Sequence, residues 1–72
     1  MKILLTIIIC SGVSDTCLQP FTFEPTYNSI YDCMVEGYTK SLEKTIEIGK
    51  EEVNKHDIYI KFMCKKDNKL LI

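Results

Sequence analysis

Residues Ser29 to Lys55 constrain this chain more than any other stretch, because they carry one unbroken run of helical periodicity that needs a broad surface to rest on. At about 100° per residue, Ile30, Tyr31, Met34, Val35, Tyr38, Leu42, Thr45, Ile46, Ile48, Gly49 and Val53 share one sector. That sector spans about 160°, wide enough to face a sheet. Glu36, Lys40, Glu43, Lys44, Glu47, Lys50, Glu51 and Asn54 take the other side. Glu36 with Lys40 and Glu51 with Lys55 stand acid-first at i and i+4, each pair contributing roughly 0.2 to 0.5 kcal/mol.

Ser29 followed by Asp32 reads as a variant capping box at the amino end. Lys55 and His56 suit the negative pole at the other end, so the helix is expected to stop between Asn54 and Asp57. Inside it, Gly37, Ser41, Thr45 and Gly49 recur every fourth residue and form a stripe of small side chains. Such a stripe lets the helix lie close on its own sheet, or offers a contact to a partner helix or a second copy.

The segments around the helix are short. Met1 to Cys10 is a lysine-led apolar run with Ile3, Thr6, Ile7, Ile8 and Ile9, suited to a central strand buried on both faces. It also has the basic start and apolar stretch of a signal peptide, with small residues near Gly12 and Ser14 where residues 1–14 could be removed. It is too short to span a bilayer, which takes about 20 apolar residues, and no transmembrane segment is expected. Residues 11–28 hold Gly12, Ser14, Asp15, Pro20, Pro25 and Asn28, the vocabulary of a loop, with Phe21, Phe23 and Tyr27 expected to cover the open edge of the core. Residues 57–65 alternate: Ile58, Ile60, Phe62 and Cys64 point one way, while Tyr59, Lys61, Met63 and Lys65 point the other. Lys61 and Lys65 discourage edge-to-edge aggregation. The tail, 66–72, has a turn signal at Asp67 and Asn68 and is expected to fray or to add a short strand through Leu70 to Ile72.

The expected architecture is therefore a single α+β domain over 1–72. It is one βαβ unit, with a long amphipathic helix packed on a two- or three-stranded sheet and a right-handed parallel crossover. In so short a chain a single core supplies no more than about 3 to 5 kcal/mol, so a staple is expected from the four cysteines or from an oligomer interface. Nine lysines interleaved with ten acids, and no arginine, leave no basic face for phosphates, which argues against nucleic acid as a partner.

The βαβ arrangement places the sulfurs. The helix descends about 34 Å from Cys33 to His56 and the last strand climbs back about 26 Å to Cys64, so all four cysteines are expected at one pole. Four cysteines allow three pairings; Cys33 with Cys64 is the favoured bridge, leaving Cys10 with Cys17, and reduced, inert thiols are the alternative. Cys33 and His56 lie at opposite ends of the helix and form no catalytic dyad. Gaps of seven, sixteen and thirty-one residues between cysteines lack the paired spacing of a zinc site. No catalytic, cofactor-binding or metal-binding residue is assigned.

Cys17-Leu18-Gln19-Pro20, Asn28-Ser29-Ile30-Tyr31-Asp32-Cys33-Met34, Glu47-Ile48-Gly49 and Ile58-Tyr59-Ile60-Lys61-Phe62-Met63-Cys64 resemble stretches of small uncharacterised proteins encoded by marine bacteriophages. The resemblance implies a viral origin and carries no activity or site residue. The expected function is a non-enzymatic, phage-encoded accessory or interaction module that meets a protein partner or a second copy through the sheet's uncovered face or the small-residue stripe. It would sit in the host cytoplasm or the virion if Met1 is retained. The alternative is an exported, disulfide-stabilised small protein with a cleaved amino-terminal signal.

Overall fold

The computed structural model describes residues 2–66. The chain runs β1 (Ile3–Ser11), β2 (Thr16–Cys17), β3 (Phe21–Tyr27), α1 (Ile30–Ile48), α2 (Lys50–His56) and β4 (Ile58–Lys66). The class is α+β, and the sheet has four strands. The expected strand through Leu70 to Ile72 lies outside the described residues.

β1 is the centre of the sheet. β4 pairs with it over its whole length, from Ile3↔Lys66 to Ser11↔Ile58. β2 and β3 pair with it by Cys10↔Cys17 and by Ile3↔Tyr27 to Ile7↔Phe21. Every pairing is antiparallel. The apolar, β-branched composition of β1 fits a strand with neighbours on both edges.

The parallel βαβ unit is thereby corrected, and the physical reason is β3. Residues 11–28 are not a plain loop: β3 carries the chain back to the starting level of β1 before the helix begins. β4 therefore returns antiparallel to β1. β3 contains Pro25 because its register with β1 shifts between Leu4 and Thr6, leaving extra residues around Glu24 and Pro25 that make no regular ladder.

The single helix over 29–55 is corrected as well. Ser29 caps α1 by accepting a hydrogen bond from the Asp32 amide at 3.1 Å. The helix then breaks at Gly49, whose φ of 96° and ψ of 155° lie where residues with a Cβ are strained. The Gly49 N–H still donates to the Thr45 carbonyl at 3.1 Å, and Val53 N–H donates to the Gly49 carbonyl at 3.0 Å to begin α2. At the far end, Gly12 N–H donates to the Asp57 carbonyl and the Ser11 hydroxyl to the His56 carbonyl, both at 2.9 Å. These bonds fix the end of β1 to the junction of α2 and β4. The exposed helical ion pairs are Lys40–Glu43 and Lys44–Glu47, at 4.0 and 3.3 Å, and contribute little.

The core is small. Ile3, Leu5 and Ile7 of β1 and Cys33 and Gly37 of α1 are buried, and Phe23, Tyr27, Phe62 and Cys64 pack around its centre. At Gly37 the helix comes close to the sheet, since a Cβ there would overlap the Phe62 ring. Gly37→Ala gains about 1 kcal/mol of helix propensity but overpacks this contact at a cost of about 1 to 3 kcal/mol. The expected result is a lower urea midpoint. In a Phe62→Ala background the sign should reverse and G37A should stabilise; a stabilising effect in both backgrounds would contradict the close approach.

Candidate interaction surface

The rotation of α1 about its own axis decides which side chains the molecule presents. Two sheet-facing residues set it: Cys33, bonded to Cys64 of β4, and Gly37, seated against Phe62. Lys40 and Lys44 are only half-buried on the same side. Their aliphatic stems cover apolar surface while their charges stay wet, and Lys40 Nζ stands 5.8 Å from the centre of the Phe23 ring.

The consequence appears on the other side of the helix. Tyr31, Leu42 and Ile46 are 75%, 61% and 70% exposed, and Val35 and Tyr38 are exposed with them. Spaced four, three, four and four residues apart, the five form one apolar row, outward except for Tyr38 at its margin toward β4. The expectation that the whole 160° arc lies on the sheet is thus corrected: only its margin does.

Next to this row, α1 and β4 border a shallow, open groove of about 610 Å³, with Ile30, Met34 and Tyr38 on one side and Ile60 and Phe62 on the other. The Tyr38 ring meets the Phe62 ring edge to face, centroids 4.8 Å apart. A second hollow of about 410 Å³ lies between the strands and Lys44, lined by Ile7, Ile9, Leu18, Phe21 and Phe23. On the sheet's outer face Leu4, Thr6 and Ile8 are half-buried, bordering a shallow depression with Thr22 and Met63. The Thr6 and Thr22 hydroxyls are bonded at 2.8 Å.

No family model, curated protein or solved structure matches the chain.

The structure pairs Cys10 with Cys17 and Cys33 with Cys64. The two bridges do not share a pole. Cys64 stands opposite Leu5, and Cys10 stands opposite Tyr59, so the two bridges lie at levels five residues apart along β1, about 17 Å. The expected gathering of four sulfurs at one end is corrected, and the antiparallel β4 is the cause. Cys10–Cys17 links directly opposed residues of β1 and β2, whereas Cys33–Cys64 fastens the helix layer to the sheet.

The small-residue stripe is divided among separate tasks. Gly37 is occupied by Phe62, and the Ser41 hydroxyl is buried without a hydrogen-bond partner. Thr45 is exposed and its hydroxyl donates to the Ser41 carbonyl at 2.9 Å, while Gly49 supplies the break between helices. No single face presents all four. His56 sits at the end of α2 beside Glu52, 3.3 Å away, far along the helices from Cys33. Among the described residues, no three side chains from His, Cys, Asp and Glu come together to hold a metal ion. No described helix is long and apolar enough to cross a membrane.

Tyr31, Val35, Tyr38, Leu42 and Ile46 belong to the apolar sector that hydrophobic periodicity assigns to the sheet. Cys33 was the available signal. It lies outside that sector, so a bridge from Cys33 to β4 turns the sector away from the sheet.

Proposed function

We propose that the chain is a non-enzymatic protein-interaction module and, following the resemblance of its motifs, an accessory protein made by a bacteriophage. One observation carries this reading: the apolar row Tyr31, Val35, Leu42 and Ile46 faces outward, on the side of α1 away from the sheet, with the exposed Tyr38 at its margin toward β4. Scattered exposed apolar residues are ordinary, but a continuous row along a helix marks a contact surface. The Cys33–Cys64 disulfide supports it, because it holds the helix in this rotation without using the row.

A row kept for a partner contributes little to the stability of the free chain. Leu42→Lys with Ile46→Lys is expected to shift stability by no more than about 0.5 kcal/mol per site and to abolish binding of a hydrophobic fluorescent dye to the folded protein. Chemical denaturation and dye titration check both. A loss of about 2 kcal/mol or more per site, typical of a core position, would contradict the reading.

The second reading is an exported, disulfide-stapled small protein. Two bridges in so short a chain favour an oxidising compartment. Its form with residues 1–14 removed would lack β1, the strand on which the sheet is built.

A further inference from the structure

The two outer edges of the sheet differ. β3 carries Pro25 and a register shift, both of which spoil pairing with an added strand. β4 is nine residues long, contains no proline, and pairs only with β1 among the described residues. Its orientation follows from one bond. Gly12 N–H donates to the Asp57 carbonyl, and antiparallel ladders alternate. Tyr59, Lys61, Met63 and Lys65 therefore bond to β1, while the amides and carbonyls of Ile58, Ile60, Phe62 and Cys64 point to the open edge.

The groove between α1 and β4 flanks this edge on the helix side, at Ile30, Met34, Tyr38 and Phe62. An added strand would send alternate side chains into it. The remaining side chains would lie on the outer face, across from Lys61 and Lys65. Both lysines are exposed, and neither forms an ion pair among the described residues.

We propose that the outer edge of β4 receives an extended segment of a partner protein in which apolar residues alternate with acidic ones. The main chain of the segment continues the sheet, its apolar side chains fill the groove beside Met34 and Tyr38, and its carboxylates meet Lys61 and Lys65. This is strand addition, in which backbone bonds supply affinity and alternate side chains supply selectivity. A second β4 fits less well, since its outer face brings the same positive charge. The inference deepens the interaction-module reading and rests on it.

The test uses the full chain with both bridges formed and two capped peptides, one alternating leucine with glutamate and the other leucine with lysine. The glutamate peptide is expected to bind about tenfold more tightly than the lysine peptide, the ratio that two favourable cross-strand charge pairs supply against two unfavourable ones. It should also slow hydrogen exchange at the amides of Ile60, Phe62 and Cys64. In K61E/K65E the preference is expected to reverse. Equal binding of the two peptides, binding of neither, or no reversal in the variant overturns the inference. So does slow exchange at those three amides in the free chain, which would mean that a second copy or the chain itself already covers the edge. Each of these outcomes leaves the outward row of α1 to its own test, which reads stability and dye binding instead.

Discussion

Replacing Cys33 and Cys64 together by alanine is expected to leave the chain largely unfolded at 25 °C, while the same change at Cys10 and Cys17 leaves a weakened but cooperative fold. The bridges close loops of very different length, with separations of 31 and seven residues. Loop-closure entropy assigns about 3.7 kcal/mol to the longer and about 2.5 kcal/mol to the shorter. Position widens the gap. Cys33 is buried with Ile3 and Leu5 at the centre of the core, whereas Cys10, though buried, lies near the end of β1 away from that cluster and its partner Cys17 is exposed. The core of a domain this size supplies no more than about 3 to 5 kcal/mol on its own, so the longer bridge together with the packing of its buried sulfur accounts for the larger part of what holds the helix layer on the sheet. Urea unfolding of the two double variants, followed by far-ultraviolet circular dichroism, checks the order. An equal or greater loss for C10A/C17A would mean that Cys33–Cys64 does not anchor the helix layer.

The same bridge explains how far the fold could be read from the amino acids. Ser29 as a cap and the alternation of Ile58, Ile60, Phe62 and Cys64 against Tyr59, Lys61 and Met63 rest on local rules, and the structure keeps both. β3 was not legible, because Pro25 and the surrounding polar residues read as a loop, and only the irregular pairing with β1 allows them in a strand. The break at Gly49 was hidden for a related reason. Periodicity continues across it from Ile46 to Val53, and a single φ change costs the pattern nothing. The rotation of α1 is the largest departure. Hydrophobic periodicity finds the apolar side of a helix but cannot say whether that side meets its own sheet or another molecule. Cys33 and Gly37, neither of them strongly hydrophobic by pattern, settled it by contact with Cys64 and Phe62. Thus the surface was visible as a set of residues and invisible as a surface.

A chain that starts at Asp15 is expected not to fold at all. Removing residues 1–14 takes away β1, and with it the ladder to β4 and the ladders to β2 and β3. β3 and β4 are not neighbours, so nothing in the remainder can pair them without rebuilding the sheet. Three buried aliphatic side chains, Ile3, Leu5 and Ile7, leave the floor under α1, each contributing about 1.5 to 3 kcal/mol when buried. Their sum alone is as large as or larger than what the core of a domain this length supplies. Cys17 would also lose Cys10 and remain as an odd thiol beside Cys33–Cys64. The truncated chain should show a disordered far-ultraviolet spectrum, no cooperative thermal transition and one alkylatable cysteine without reduction. The full chain should melt cooperatively and offer none. A cooperative melt for the shorter chain would make the form with a cleaved signal a folded protein in its own right. It would also overturn the placement of β4, because its free edge is defined only by β1 occupying the other one.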